Sequence, residues 1–62
     1  MTVKPTTILI VDDEPMNITI LEDLFSRYYR TLSATRGADA LAIIARESID
    51  LVLLDIMMPG MS

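Results

Sequence analysis

The stretch LVLLDIMMPG, residues 51–60, places four apolar side chains directly before a carboxylate and ends in a Pro-Gly pair. An apolar run of this length that is bounded by turn residues is typical of a β-strand buried on both faces. Asp55 closes the run, and a charge at that position needs a role other than packing. The stretch ILIVDDEP, residues 8–15, repeats the design with four apolar residues before three acids and a proline. The sequence therefore predicts two buried strands that both lead into carboxylates.

Two amphipathic helices are predicted between the strands. The first extends roughly from Pro15 to Arg27, because Pro15 suits the first turn and apolar residues recur at helical spacing. Its expected apolar face consists of Ile18, Leu21, Leu24, Phe25 and Tyr28. The second extends from Ala38 to Glu47, with Thr35 as the expected N-terminal cap. Its expected apolar face consists of Leu41, Ile44 and Ala45.

The strands are expected to form one parallel sheet. The succession strand, helix, strand, helix, strand implies right-handed crossover connections between parallel strands. Residues 8–11 and 51–54 are apolar throughout and are predicted to be central, whereas the more polar stretch Tyr29–Ala34 is predicted to form an edge. These placements give the strand order 2-1-3 (β1-α1-β2-α2-β3), with the two helices on opposite faces. The predicted fold class is therefore α/β with three layers.

Ligands of such sheets bind beyond the carboxyl ends of the strands, at the point where the strand order reverses. The sequence places Asp12, Asp13 and Asp55 at that point. Neighbouring carboxylates repel each other unless a cation neutralises them, and Mg²⁺ prefers oxygen ligands of this kind. Asp12 and Asp13 are therefore candidate magnesium ligands, and Asp55 is the candidate acceptor of a phosphoryl group. In the alternative interpretation, Asp12 and Asp13 only cap the first helix and Asp55 only begins a turn.

The composition argues against several other classes of protein. The 62 residues carry a net charge of −4, whereas nucleic-acid binding needs clustered Lys and Arg. Cysteine and histidine are both absent, so a zinc site is not expected, and the lack of cysteine suits a reducing cytoplasm. No membrane span and no signal peptide are predicted, because the apolar runs are too short. Two glycines are too few for the glycine-rich loop of a dinucleotide-binding fold.

Three stretches together resemble the receiver domain of two-component response regulators. They are Ile8–Pro15, Gly37–Leu41 and Asp50–Met61, and the resemblance covers nearly all of the chain. It implies a flavodoxin-like fold, and the predicted order 2-1-3 is the beginning of the 2-1-3-4-5 order of that fold. It further implies a cytoplasmic signalling module that is not itself an enzyme.

The resemblance also implies a role for each matching site residue. Asp55 would accept a phosphoryl group from a histidine kinase or a small phosphodonor. Asp13 would bind Mg²⁺ directly and Asp12 largely through water, and the backbone carbonyl of Met57 would be a further ligand beside Asp55. The pocket would be bordered by Glu14 and Met16.

Members of this family are about twice as long as the chain, so residues 1–62 resemble the N-terminal half, with residues 1–7 as a polar lead-in. The family's fourth and fifth strands, its Thr or Ser and its Lys would lie beyond residue 62. We therefore expect weak phosphotransfer, and we expect two copies to pair through residues 51–54 as an exposed edge strand. The alternative function is a self-associating, metal-binding half-receiver without signalling output. A phosphatase of the haloacid-dehalogenase type is disfavoured. That family carries the motif Asp-x-Asp after its first strand, whereas Asp12 and Asp13 are adjacent in this chain.

Overall fold

The computed structural model describes residues 5–54. In chain order, the elements are β1 (Thr7–Val11), α1 (Pro15–Phe25), β2 (Arg30–Ala34), α2 (Gly37–Arg46) and β3 (Leu51–Leu54). The three strands are parallel and lie in the order β2-β1-β3, which confirms the predicted topology. Among residues 5–54, neither helix has the length and hydropathy that a membrane span requires.

β1 is the centre of the structure, and all five of its residues are buried. Because side chains alternate along a strand, Leu9 and Val11 belong to one core cluster and Ile8 and Ile10 to another. The first cluster also contains Ala34 and Ala40, with Leu32, Ile43 and Ile49 packed against it. The second also contains Ile18, with Leu21, Phe25 and Leu53 packed against it. The two helices thus cover opposite faces of β1, as the three-layer prediction requires.

The apolar face predicted for α1 is partly wrong. Ile18 is 6% exposed and Phe25 packs against its cluster, but Leu24 is 59% exposed. Leu24 lies about 120° around the helix axis from Ile18, because successive residues are separated by about 100°. Tyr28 is exposed as well, since α1 ends at Phe25 rather than near Arg27.

The apolar face predicted for α2 is wrong. Ala40 is buried and Ile43 packs beside it, whereas Leu41 is 68% exposed and Ile44 is also exposed. Ala45 is exposed too. The buried position of this helix is thus occupied by the small side chain of Ala40, while the larger apolar side chains of Leu41 and Ile44 are exposed.

The start of α2 also differs from the prediction. The helix begins at Gly37, one residue before the predicted Ala38, and its N-cap residue is Arg36 rather than Thr35. The Arg36 side chain makes no capping hydrogen bond. The strand boundaries are closer to expectation, because β3 has its predicted bounds and β1 and β2 differ by one residue at their starts. The prediction that β3 is buried on both faces is wrong: Leu51, Val52 and Leu54 are exposed, because within residues 5–54 this strand has a neighbouring strand on one side only.

Asp50 joins β3 to β1 at the amino ends of the strands. Its carboxylate Oδ2 accepts a 2.7 Å hydrogen bond from the Thr7 backbone N–H. In return, the Asp50 backbone N–H donates to the Thr7 carbonyl at 2.9 Å. This reciprocal pair lies directly before the register in which Ile8 pairs with Leu51 and Val11 with Leu54.

Candidate functional site

The candidate site lies at the carboxyl ends of β1 and β3. Val11 and Leu54 are paired in the parallel ladder, and Asp12 follows Val11 directly. The Asp12 backbone N–H donates to the Ala34 carbonyl at 3.1 Å, which ties Asp12 to the carboxyl end of β2 as well. The structure therefore places Asp12 at the reversal of strand order, as the sequence predicts.

The Asp12 side chain is buried and held by two hydrogen bonds. The residue is 7% exposed. Its Oδ1 accepts from the Glu14 backbone N–H at 2.9 Å, and its Oδ2 accepts from Asn17 Nδ2 at 3.2 Å. The first bond is an Asx turn, in which an aspartate binds the backbone two residues further on. Both oxygens of this carboxylate thus already accept a hydrogen bond from the protein.

The loop after Asp12 presents two further acids. Asp13 is exposed. Glu14 is the N-cap residue of α1, and its carboxylate accepts a 3.4 Å hydrogen bond from the Met16 backbone N–H. The helix is therefore capped by Glu14, and the alternative in which Asp12 and Asp13 cap it is wrong.

A cleft of about 360 Å³ opens beside Asp12, between α1 and β3. It is lined by Val11, Asp12, Asn17, Leu21, Leu53 and Leu54. Glu14 and Met16, which the resemblance places at the border of the pocket, do not line this cleft. The cleft therefore combines one polar end, at Asp12 and Asn17, with apolar walls from the core.

The charges of this edge are not balanced by ion pairs within residues 5–54. The single ion pair in that part of the chain joins Arg30 and Glu47 at 2.9 Å. Arg30 is paired with Thr7 in the sheet, so this ion pair lies at the opposite, amino end of the strands. Among residues 5–54, the acidic oxygens of this edge therefore have no ion-pair partner that a cation would have to displace.

The donor atoms suit a hard divalent ion such as Mg²⁺, which prefers carboxylate oxygens and water. Among the described residues, no group of three His, Cys, Asp or Glu side chains is close enough together to hold a metal ion. Asp12 and Asp13 are the two predicted carboxylate ligands that lie within the described residues. The other two predicted ligands, Asp55 and the Met57 carbonyl, lie outside the described residues, and their roles stay predictions.

Asn17 is the site residue that the sequence reasoning missed. It is the third residue of α1, and nothing in the apolar periodicity distinguishes it. One signal was available: Asn17 lies five residues after Asp12, in the first turn of the helix that follows β1. The first turn of such a helix lies over the end of the strand, where Asp12 is.

Comparison with known protein families decides which fold family this architecture represents. The model of the response regulator receiver domain matches residues 8–62.

The chain belongs to the response regulator receiver domain family.

Its relatives include multidomain proteins. A probable cyclic di-GMP phosphodiesterase of Vibrio cholerae is 55% identical over 56 residues, which are 90% of this chain and 13% of the relative. Response regulator PleD of Caulobacter vibrioides is 49% identical over 55 residues, which are 87% of this chain and 12% of the relative. Sporulation initiation phosphotransferase F of Bacillus subtilis is 46% identical over 55 residues, 87% of this chain and 44% of the relative. The chain thus spans only a small part of the first two relatives and less than half of the third. No solved structure matches the chain significantly.

Membership in this family confirms the resemblance and the flavodoxin-like fold. Receiver domains are phosphoryl-accepting modules of two-component signalling, and they generally bind Mg²⁺ at their acidic site. The phosphodiesterase name describes a relative of which this match covers 13%, so it assigns no enzymatic activity to the receiver domain.

Proposed function

We propose that the chain is a phosphoacceptor module in which Asp55 receives a phosphoryl group while Asp12 and Asp13 hold Mg²⁺. The observation that carries the proposal is the pairing of Val11 with Leu54, because an aspartate follows each of these residues in the sequence. The ends of paired parallel strands meet at one edge of a sheet, so this register favours a common site. The donor would be a histidine kinase or a small phosphodonor. We expect the chain to act in the cytoplasm, which its lack of cysteine suits.

The proposed reaction is a direct phosphoryl transfer. One oxygen of the Asp55 carboxylate forms a bond to phosphorus as the bond between phosphorus and the donor atom breaks. The donor departs with that electron pair, and Asp55 becomes an acyl phosphate. No proton has to leave Asp55, because the carboxylate is already ionised when it attacks.

The two described carboxylates divide the metal ligation between them. Asp13 is exposed and is proposed to bind Mg²⁺ directly. Asp12 is proposed to act largely through bound water, because both of its oxygens already accept protein hydrogen bonds. Bound Mg²⁺ would supply positive charge that offsets the negative charge of the incoming group. Asp55 and the Met57 carbonyl are proposed to complete the site.

Phosphorylation by a small molecule tests this function. The full chain is incubated with Mg²⁺ and an acyl phosphate, and its intact mass is measured. We expect a gain of one phosphoryl group that hydroxylamine removes, and no gain in Asp55→Asn. Asp39→Asn is the matched control, because Asp39 is an exposed acid on α2 and should leave the gain intact. A gain that persists in Asp55→Asn would contradict the proposal.

A second function, self-association through β3, is favoured by a separate observation. Leu51, Val52 and Leu54 are exposed, and β3 forms an edge of the sheet that residues 5–54 build. An apolar edge strand is a template for pairing with another strand. We propose a second copy of the chain as the occupant, with the two β3 strands related by a two-fold axis.

Light scattering at micromolar concentration tests the self-association. The unsubstituted chain should have the mass of a dimer, and Val52→Lys should have the mass of a monomer. Leu41→Lys is the control, because Leu41 is an exposed apolar residue on α2 and away from that edge. A folded monomer at all concentrations would contradict this second function and leave the first one standing.

A further inference from the structure

We infer that Asn17 is a positioning residue that fixes the Asp12 carboxylate for metal binding. The inference rests on the proposed function, because it assigns a task to the Asp12 carboxylate. It concerns a side chain that lies on α1, outside the acidic loop. Asn17 Nδ2 donates to Asp12 Oδ2 at 3.2 Å across five positions of the sequence.

The two hydrogen bonds to Asp12 do different work. The bond from the Glu14 N–H to Oδ1 comes from the backbone, so it forms whichever side chain is at position 14. By itself, this bond would hold Oδ1 and leave Oδ2 free to change its position. The bond from Asn17 engages that second oxygen and fixes the plane of the carboxylate. Of the two hydrogen bonds that hold the Asp12 carboxylate, the one from Asn17 is therefore the one that depends on a side chain.

The chemistry of asparagine suits this task. Its amide donates a hydrogen bond without adding a positive charge, so it orients Asp12 and leaves the carboxylate negative. A Lys or Arg at the same place would neutralise Asp12 and compete with the cation. Polar groups that hydrogen-bond metal ligands in this way orient those ligands, and their removal typically weakens metal affinity by about 10- to 100-fold.

Burial makes the orientation matter. Asp12 is 7% exposed, and it lines the cleft together with Asn17. Its side chain is surrounded by protein, so its free lone pairs face a restricted set of directions. A carboxylate held in one plane needs less rearrangement when a metal-bound water approaches, and this is the physical basis of the expected gain in affinity.

A double-mutant cycle on Mg²⁺ affinity tests the inference. The Kd of the full chain is measured by NMR titration of backbone amides in four proteins: unsubstituted, Asn17→Ala, Asp12→Ala and the double variant. Asn17→Ala should weaken binding by about tenfold. In the Asp12→Ala background the same substitution should change the Kd less than about twofold, because its effect passes through Asp12. Equal effects in both backgrounds would overturn the inference.

Thr19→Ala is the matched control for the helix. Thr19 lies two residues beyond Asn17 on α1, and its hydroxyl donates to the Pro15 carbonyl at 3.1 Å. Its removal changes a polar group of the same helix without touching Asp12. The Kd should therefore stay within about twofold of the unsubstituted value, as expected for sites that share no partner.

An NMR measurement without metal tests the hydrogen bond between Asn17 and Asp12 separately from metal binding. The side-chain NH₂ resonances of Asn17 should shift in Asp12→Ala and stay in place in Asp13→Ala. Failure of the unsubstituted chain to bind Mg²⁺ would overturn the proposed function together with this inference. Mg²⁺ binding that Asn17→Ala leaves unchanged, or NH₂ resonances insensitive to Asp12→Ala, would overturn the inference alone.

Discussion

Val11 and Leu54 are paired neighbours in the parallel ladder of β1 and β3, and each immediately precedes an aspartate. Leu53 packs against the core cluster of Ile8, Ile10 and Ile18, and reciprocal hydrogen bonds between Asp50 and Thr7 precede the ladder. These contacts hold β3 beside β1 in the register that pairs Val11 with Leu54.

Asp13→Asn should abolish the stabilisation of the chain by Mg²⁺. A ligand that binds only the folded state stabilises it by about 1.4 kcal/mol when its concentration is ten times Kd. The measurement is the rise in Tm on adding MgCl₂, compared with NaCl at the same ionic strength. Asp23→Asn, an exposed acid on α1, is the control and should keep the rise. A full Mg²⁺-dependent rise in Asp13→Asn would refute the direct role of Asp13.

Asp50→Ala should loosen β3 from β1. The substitution removes the acceptor of the 2.7 Å hydrogen bond from the Thr7 N–H, at an expected cost of about 1–2 kcal/mol. The measurement is the free energy of unfolding, together with hydrogen exchange at the Thr7 amide, which should become faster. Asp23→Ala should change the free energy by no more than about 0.5 kcal/mol. Unchanged exchange at Thr7 would show that the Asp50 carboxylate does not hold this strand.

Ile18→Ala and Leu24→Ala should differ sharply, although both residues lie on α1. Ile18 is buried against β1, so its truncation should cost about 2–5 kcal/mol of unfolding free energy. Leu24 is exposed, and its truncation should cost about 0.5 kcal/mol or less. Urea unfolding followed by circular dichroism measures both values. Equal losses of unfolding free energy in the two variants would contradict the burial of Ile18 against β1.

The parts of the fold that sequence reasoning predicts correctly are those set by unbroken apolar runs. Residues 8–11 form a buried strand and the polarity of Tyr29–Ala34 places its strand at an edge, both as predicted. Residues 51–54 form a strand with the predicted bounds, but Leu51, Val52 and Leu54 are exposed rather than buried. The helix faces were harder to predict. On α2 the buried residue is Ala40, whose small size gives a weak hydrophobic signal, and exposed Leu41 and Ile44 give a stronger but misleading one.

In the candidate site, too, the position of Asp12 could be predicted from the sequence, whereas the roles of Asn17 and Glu14 could not. The place of Asp12 follows from the end of β1, and the topology then explains why it lies at the reversal of strand order. Asn17 could not be found in the same way, because its contact depends on how α1 begins above the strand end. The capping by Glu14 was also hidden, since three consecutive acids offer three candidates for one cap.

The most direct test of the central claim is to locate the phosphoryl group on the chain. The chain is treated with Mg²⁺ and an acyl phosphate, the acyl phosphate formed on the protein is reduced with borohydride, and the modified residue is identified by peptide mass spectrometry. We predict that reduction converts Asp55 alone, and that omission of Mg²⁺ prevents the change. Modification of Asp12 or Asp13 with Asp55 intact would contradict the proposed division between acceptor and metal ligands.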